Sequence, residues 1–354
     1  AHAHYEGLRL SGSYTFGERG RPGTLTTDSN GKIMPCSSCH NSAAPKGQGV
    51  KYPATKDSCG SCHMQPNDRE QLHRGSVSLA YRKAFGSFAV GGNAYHNEWH
   101  TDYEVYRDPG YIRENVRETP ALKRRLTGAE VHGSHSYKQL NTVVVGAEFK
   151  RYEAASNLMI APDGTRADAF EAAVFAEDEI RPLRWFALTG GIRFDYSSLF
   201  DSVLSPRGGV VVTPIERLNI RASVGRAFRN PALSELYVND RRGKYAVSGN
   251  LNLKPEYITS LEGGASYTLL EPLFVRVGAA VYYNMASNLI SFRATGLDTA
   301  SFFNLAEATV LGAEAEAEVA VTGEPELRLF GNFSFQEAED DAGGAVFRHV
   351  VAHA

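Results

Sequence analysis

Gly312-Ala-Glu-Ala-Glu-Ala-Glu-Val319 places Ala313, Ala315, Ala317 and Val319 on one side of an extended chain and Glu314, Glu316 and Glu318 on the other. A helix would scatter these residues around its circumference; only a period of two separates them. The same alternation recurs on both sides of this stretch. Leu327, Leu329, Phe333 and Phe335 oppose Arg328, Asn332 and Ser334. In Gly191-Ile-Arg-Phe-Asp-Tyr196, Ile192, Phe194 and Tyr196 oppose Arg193 and Asp195. In Thr142-Val-Val-Val-Gly-Ala-Glu-Phe-Lys150, Val143, Val145, Ala147 and Phe149 oppose Thr142, Gly146, Glu148 and Lys150.

Such a pattern fits a water-soluble antiparallel sheet with one wet face, or the wall of a membrane barrel. Segments of about 10 residues and an apolar face rich in aromatic and small residues favour the barrel. Arg226 breaks the pattern, falling on the apolar parity of Leu218, Ile220, Ala222 and Val224, near a strand end where a charge costs little. Short turns are expected near 84–86, 137–139, 181–183, 213–216, 270–272 and 322–325. Long loops are expected near 17–72, 101–123, 154–167, 230–253, 286–300 and 337–345, with a shorter link at 199–201 on the same side. Short turns face the periplasm and long loops the exterior in such barrels. The expected fold is therefore all-β, a transmembrane antiparallel barrel fragment of about 14 strands. Its parts are a barrel strand over 1–16, a loop-rich insertion over 17–72 on the extracellular side, and barrel over 73–354.

Composition agrees. The chain has 34 Gly, 17 Tyr and 18 Phe in 354 residues, usage suited to strands separated by glycine turns. A formal charge of −3 gives no reason to expect a nucleic-acid partner. Mean hydropathy is −0.31, without an apolar run long enough for a transmembrane helix. The sequence starts at Ala1 and stops at Val-Val-Ala-His-Ala354, and an interior piece of a longer protein is expected.

The C-terminal two thirds carry a set of motifs: Ser205-Pro-Arg-Gly-Gly, Leu218-Asn-Ile-Arg-Ala-Ser-Val-Gly-Arg-Ala-Phe-Arg-Asn-Pro231, Glu235-Leu-Tyr237, Asn252-Leu-Lys-Pro-Glu256, Phe303-Asn-Leu-Ala306 and Gly312-Ala-Glu314. Over 130–354 the chain resembles the TonB-dependent receptor barrel. The resemblance implies a barrel of about 22 strands, a plug domain that is not read in this stretch, outer-membrane lipid around it, and energy from a TonB complex reached through that plug.

Chemistry concentrates in the long first loop. Cys36-Ser-Ser-Cys39-His40 and Cys59-Gly-Ser-Cys62-His63 hold all 4 Cys of the chain, with 18 residues between His40 and Cys59. Cys-x-x-Cys-His is the attachment signature of c-type haem: both thiols bond the macrocycle and the adjacent His binds iron. The expected cofactors are two covalent haem c groups. A four-Cys zinc site has compatible spacing, and a small disulfide across each pair is a third reading. Neither requires a His after each pair. The Gly-, Pro-, Ser- and Lys-rich surroundings offer little core of their own, which buried macrocycles would supply.

For the sixth iron ligands, a hairpin turning near Ala84 and Phe85 is expected to put His73 opposite His96, with His100 further out. His73 and one of His96 or His100 are the candidates; His132 and His135 approach a short turn and should be too far away. Met34 and Met64 read as loop packing, and 113–125 as a solvated, charge-mixed loop. Two functions follow. One is a TonB-dependent transporter with a surface dihaem module that passes electrons, for instance to a bound metal complex. The other is a barrel scaffold displaying that module to partner cytochromes. A peroxidase-like enzyme is less suited, because the haem segment has no recognisable substrate pocket.

Overall fold

The computed structural model describes residues 7–20, 69–104, 121–138, 140–242, 245–269, 273–296, 298–304, 307–321, 327–340 and 347–353. In chain order the elements are β1 (Gly7–Gly20), β2 (Arg69–Phe85), β3 (Phe88–Glu104), β4 (Ala121–Tyr137), β5 (Asn141–Ser156), β6 (Arg166–Leu183), β7 (Phe186–Ser197), β8 (Val203–Ile215) and β9 (Leu218–Arg229). They continue with helix α1 (Leu233–Tyr237), β10 (Asn239–Arg242), β11 (Tyr245–Ser248), β12 (Glu256–Leu269), β13 (Phe274–Ser287), β14 (Ile290–Ala294), β15 (Thr299–Asn304), β16 (Glu307–Val321), β17 (Leu327–Asp340) and β18 (Phe347–His353).

One 14-stranded sheet carries the architecture, in the order β1 to β9, then β12, β13, β16, β17 and β18. Neighbours in this sheet pair antiparallel throughout, and among the described residues it has the expected number of strands. The register keeps parity from strand to strand. Val281 opposes Ala313, which opposes Phe335. One face of the whole sheet is thereby apolar. Val131, Val145, Val174, Ile192, Val224 and Val281 lie on it, all exposed. An apolar surface that continuous is untenable in water and suits lipid. At the long-loop end this face finishes in an aromatic row, with ring centroids 6.0 Å apart for Phe149 and Phe170 and 5.9 Å for Phe170 and Tyr196.

The opposite face is polar and lines the lumen. Arg193 contacts Glu148 at 2.6 Å and Asp195 at 2.8 Å, and Lys150 contacts Glu148 at 2.7 Å. Arg207 bonds Glu177 across the same surface. The glutamates of β16 face the lumen as parity requires, Glu316 lying 3.4 Å from Arg276. Inward aromatic rings lie over glycines of the next strand. Tyr95 covers Gly128 and Phe175 covers Gly146, where a Cβ would collide with the ring.

Three expectations need correction. The β2–β3 turn is centred on Gly86 and Ser87, not on Ala84 and Phe85, because Gly86 takes φ +65°, which glycine adopts without steric cost. His73 therefore pairs with His100, while His96 pairs with Val77. Residues Ala121 to Arg125 belong to β4 rather than to a loop, their charges lying at the strand's upper end. β1 runs on to Gly20 and β2 begins at Arg69, so strand extends into both ends of the 17–72 span. The small elements inside the long loops had no sequence signal: α1, and a second sheet in the order β10, β11, β15, β14.

Candidate functional site

At the long-loop end β3 to β7 and the end of β9 enclose a pocket of about 690 Å³. Its wall combines the charged residues Arg124, Glu148 and Arg193 with the aromatic residues Trp99, Tyr152 and Phe228. Alternation puts all of these inward except Phe228, which has the outward parity of Val224 and reaches the pocket from the end of β9. The carboxylates of this wall are paired with cations or with neutral donors. Glu171 accepts from the Tyr152 hydroxyl at 3.1 Å and from the Asn230 amide at 2.6 Å.

The segment 230–238 roofs this pocket. Glu235 accepts from the Ala232 N–H at 2.7 Å and receives the Arg229 guanidinium at 3.1 Å, and Arg229 also bonds Glu256. Below the helix, Leu233 packs with Ala154, Met159, Ala161 and Ala167 in a buried cluster. Two backbone bonds stitch the roof to the β5–β6 connection, from Ile160 N–H to Tyr237 C=O at 2.9 Å and from Asn239 N–H to Leu158 C=O at 2.7 Å. A second rivet joins the far end of the roof's own loop, between β9 and β12, to the loop between β13 and β16. Lys254 N–H donates to the Asn304 side-chain oxygen at 2.9 Å, and the Asn304 amide returns a bond to Lys254 C=O at 3.0 Å. The motifs singled out in the sequence thus include the roof's fasteners, Arg229, Asn230, Glu235, Lys254, Glu256 and Asn304. Their partner Glu171 lies far away in sequence and carried no signal.

The six residues expected to attach haem, Cys36, Cys39, His40, Cys59, Cys62 and His63, lie outside the described residues, as do His2, His4, Met34 and Met64. The histidines on β2 and β3 are described, and all three take the outward parity of Val77 and Leu79, His73 and His100 towards the long-loop end and His96 at mid-strand. His73 and His100 meet edge to face with ring centroids 6.2 Å apart. His100 Nε2 lies 3.0 Å from Asp102, and His96 Nδ1 lies 2.8 Å from the Thr127 hydroxyl. His132 bonds Glu130 and His135 packs on Phe88, both towards the short-turn end. Among the described residues, no cluster of three His, Cys, Asp or Glu could hold a metal ion.

A broad antiparallel sheet with an apolar outer face, a charged lumen and loops roofing one end defines an outer-membrane β-barrel of receptor type. The chain belongs to the TonB dependent receptor-like, beta-barrel family, whose model matches residues 4–350. In sequence it is 32% identical over 127 residues to the vitamin B12 transporter BtuB of Vibrio vulnificus (strain YJ016), covering 36% of this chain and 19% of that protein. Among solved structures it superposes on the siderophore receptor PirA from Pseudomonas aeruginosa with a TM-score of 0.62 at 16% identity, covering 80% of this chain and 58% of PirA. The copper transporter OprC gives a TM-score of 0.64 at 16% identity, over 79% of this chain and 51% of OprC. The structural likenesses are of fold, and the chain spans less than two thirds of the length of each of these proteins.

Proposed function

We propose that this chain is the barrel of a TonB-dependent outer-membrane transporter that carries two haem c groups on a loop outside the cell. Transport rests on family membership and on the roofed, charge-lined pocket at the long-loop end. Solved structures of this fold include a siderophore receptor and a copper transporter, so a metal complex is the substrate class this reading carries over. TonB, reached through a plug, is the proposed source of energy.

The observation that carries the haem reading is the donor set: two thiols and the next His, twice, using every Cys in the chain. The root of the loop fits as well, since Gly20 pairs with Arg69 and both ends of 21–68 leave from adjacent strands. The haem groups, when bound, supply one-electron chemistry. Cys36, Cys39, Cys59 and Cys62 would hold them covalently, with His40 and His63 as proximal ligands. His73 and His100 are the proposed sixth ligands, because they sit nearest the loop's root. His96 lies further down the strand. Electrons delivered at the rim would reduce a metal complex before it enters the lumen.

The test is a pyridine haemochrome assay on the full chain matured in the periplasm. Two c-type haems per chain are expected, falling to one in C36S/C39S. Stoichiometric zinc in place of haem would sink the electron-transfer half of the proposal and leave transport standing. His73→Ala is expected to shift the spectrum towards high spin.

A further inference from the structure

The pocket beneath the roof holds many charges, and among the described residues all but one of them are already engaged. Glu148 receives Lys150 at 2.7 Å and Arg193 at 2.6 Å, and Arg193 also holds Asp195 at 2.8 Å. Glu171 is occupied by the Tyr152 hydroxyl and the Asn230 amide. Arg229 is divided between Glu235 and Glu256, and Arg125 turns away to Glu98 at 3.3 Å. Arg124 stands apart. It faces the pocket from β4, yet makes no hydrogen bond or ion pair with any described residue.

Its surroundings narrow what could satisfy it. The register sets Arg124 directly between Trp99 on β3 and Ala154 on β5, and places Leu126 opposite Tyr152 one inward step lower. Residues so opposed hold their Cβ atoms about 5 Å apart. The free guanidinium therefore lies beside an indole and above an apolar, aromatic floor. A bare cation finds no vacancy in this pocket, because each carboxylate would first have to give up a partner. An anion does find one: arginine's planar fork takes paired oxygens, and the rings of Trp99 and Tyr152 offer faces and edges to another aromatic ring. The volume of about 690 Å³ is ample for a small ligand. We infer that this pocket takes an anionic aryl chelate, a metal ion wrapped by aromatic oxygen donors, and that Arg124 beside Trp99 selects it over neutral chelates and uncomplexed ions. The inference rests on the transport reading for the presence of a metal, and it is independent of the haem reading.

Gallium(III) complexes test it without electron transfer, since gallium(III) is not reduced in water. The chain has two Trp, and Trp185 lies in the β6–β7 turn at the opposite end of the barrel, so in W185F the emission reports Trp99 alone. The full W185F chain in detergent micelles can be titrated with an anionic gallium tris-catecholate, a neutral, non-aromatic gallium trihydroxamate, and zinc(II) alone. The tris-catecholate should bind at least about tenfold more tightly than the trihydroxamate, the effect of one charge-assisted contact. Zinc(II) should leave the Trp99 emission unchanged. R124Q/W185F should lose the preference with trihydroxamate binding unaltered, and R124K/W185F, which keeps the charge without the fork, should regain part of it. Equal affinity for the two complexes, or tighter binding of zinc(II), in W185F would overturn the inference and leave transport of a metal complex standing. Binding of none of the three would overturn both. A preference undiminished in R124Q/W185F would overturn the role of Arg124 and with it the inference.

Discussion

The wall built by β2 to β6 and the wall built by β7 to β9 solve the same problem at different heights. The strands of the first run 16 to 18 residues; those of the second run 12 or 13. About 9–11 residues suffice to cross the membrane. Both walls share short turns at one end, so the surplus of the tall wall stands at the long-loop end. There its outward face carries ion pairs and its inner face becomes the pocket. The short wall instead ends near Tyr196 and Arg226 and hands over to α1, which closes the pocket from above. The difference teaches that strand length beyond the crossing is used here as building material: one side supplies a projecting wall, the other a roof.

The comparison breaks most visibly in the apolar belt, the part both walls share. Val174→Arg, at mid-belt, should destabilise the barrel by about 2–4 kcal/mol, measured by denaturant unfolding in lipid vesicles. A negligible loss would mean that this face does not meet lipid. Next comes the inner face of the tall wall. Gly146→Ala pushes a methyl into the Phe175 ring and should cost about 1–3 kcal/mol in the same titration. Adding Phe175→Ala should recover part of that loss, because the two sites touch. Glu171→Ala leaves Asn230 and Tyr152 without their acceptor. It should loosen the roof by about 1 kcal/mol, seen as faster proteolysis within 230–238 while the barrel itself stays folded. Smallest is Arg226→Gln, at the top of the short wall. Its cation sits 4.6 Å from the Tyr257 ring centroid, and its loss should cost less than about 1 kcal/mol.

How much of this could be read from the sequence depends on how local the cause is. The β16–β17 faces were legible because parity is a nearest-neighbour property, and Glu314, Glu316 and Glu318 leave no other arrangement. The sides of the short turns and long loops were legible for the same reason. Register was not: moving one turn from Ala84 and Phe85 to Gly86 and Ser87 exchanges the partner of His73, and no pattern within either strand distinguishes the two alternatives. Lys123 and Arg125 looked like loop because the stretch around them is mixed in charge, yet the top of a tall wall stands above the lipid. Asn239-Asp-Arg-Arg242 has no alternation at all, and it becomes a strand only because the second sheet supplies neighbours. The Glu171–Asn230 contact joins residues from separate elements, so it exists only once the sheet has formed.

The pairing of Gly20 with Arg69 has a consequence in the statistics of the chain. Two antiparallel neighbours hold the ends of 21–68 about 5 Å apart. For a segment whose ends are already joined in this way, the entropy of closure grows only with the logarithm of its length, about 0.6 kcal/mol for each doubling. The barrel therefore feels a long insertion at this seam almost as it would feel a short one. Chains of quite different size and chemistry could occupy the seam between β1 and β2 without altering the register of either strand, which makes this junction a natural port for exchanging modules.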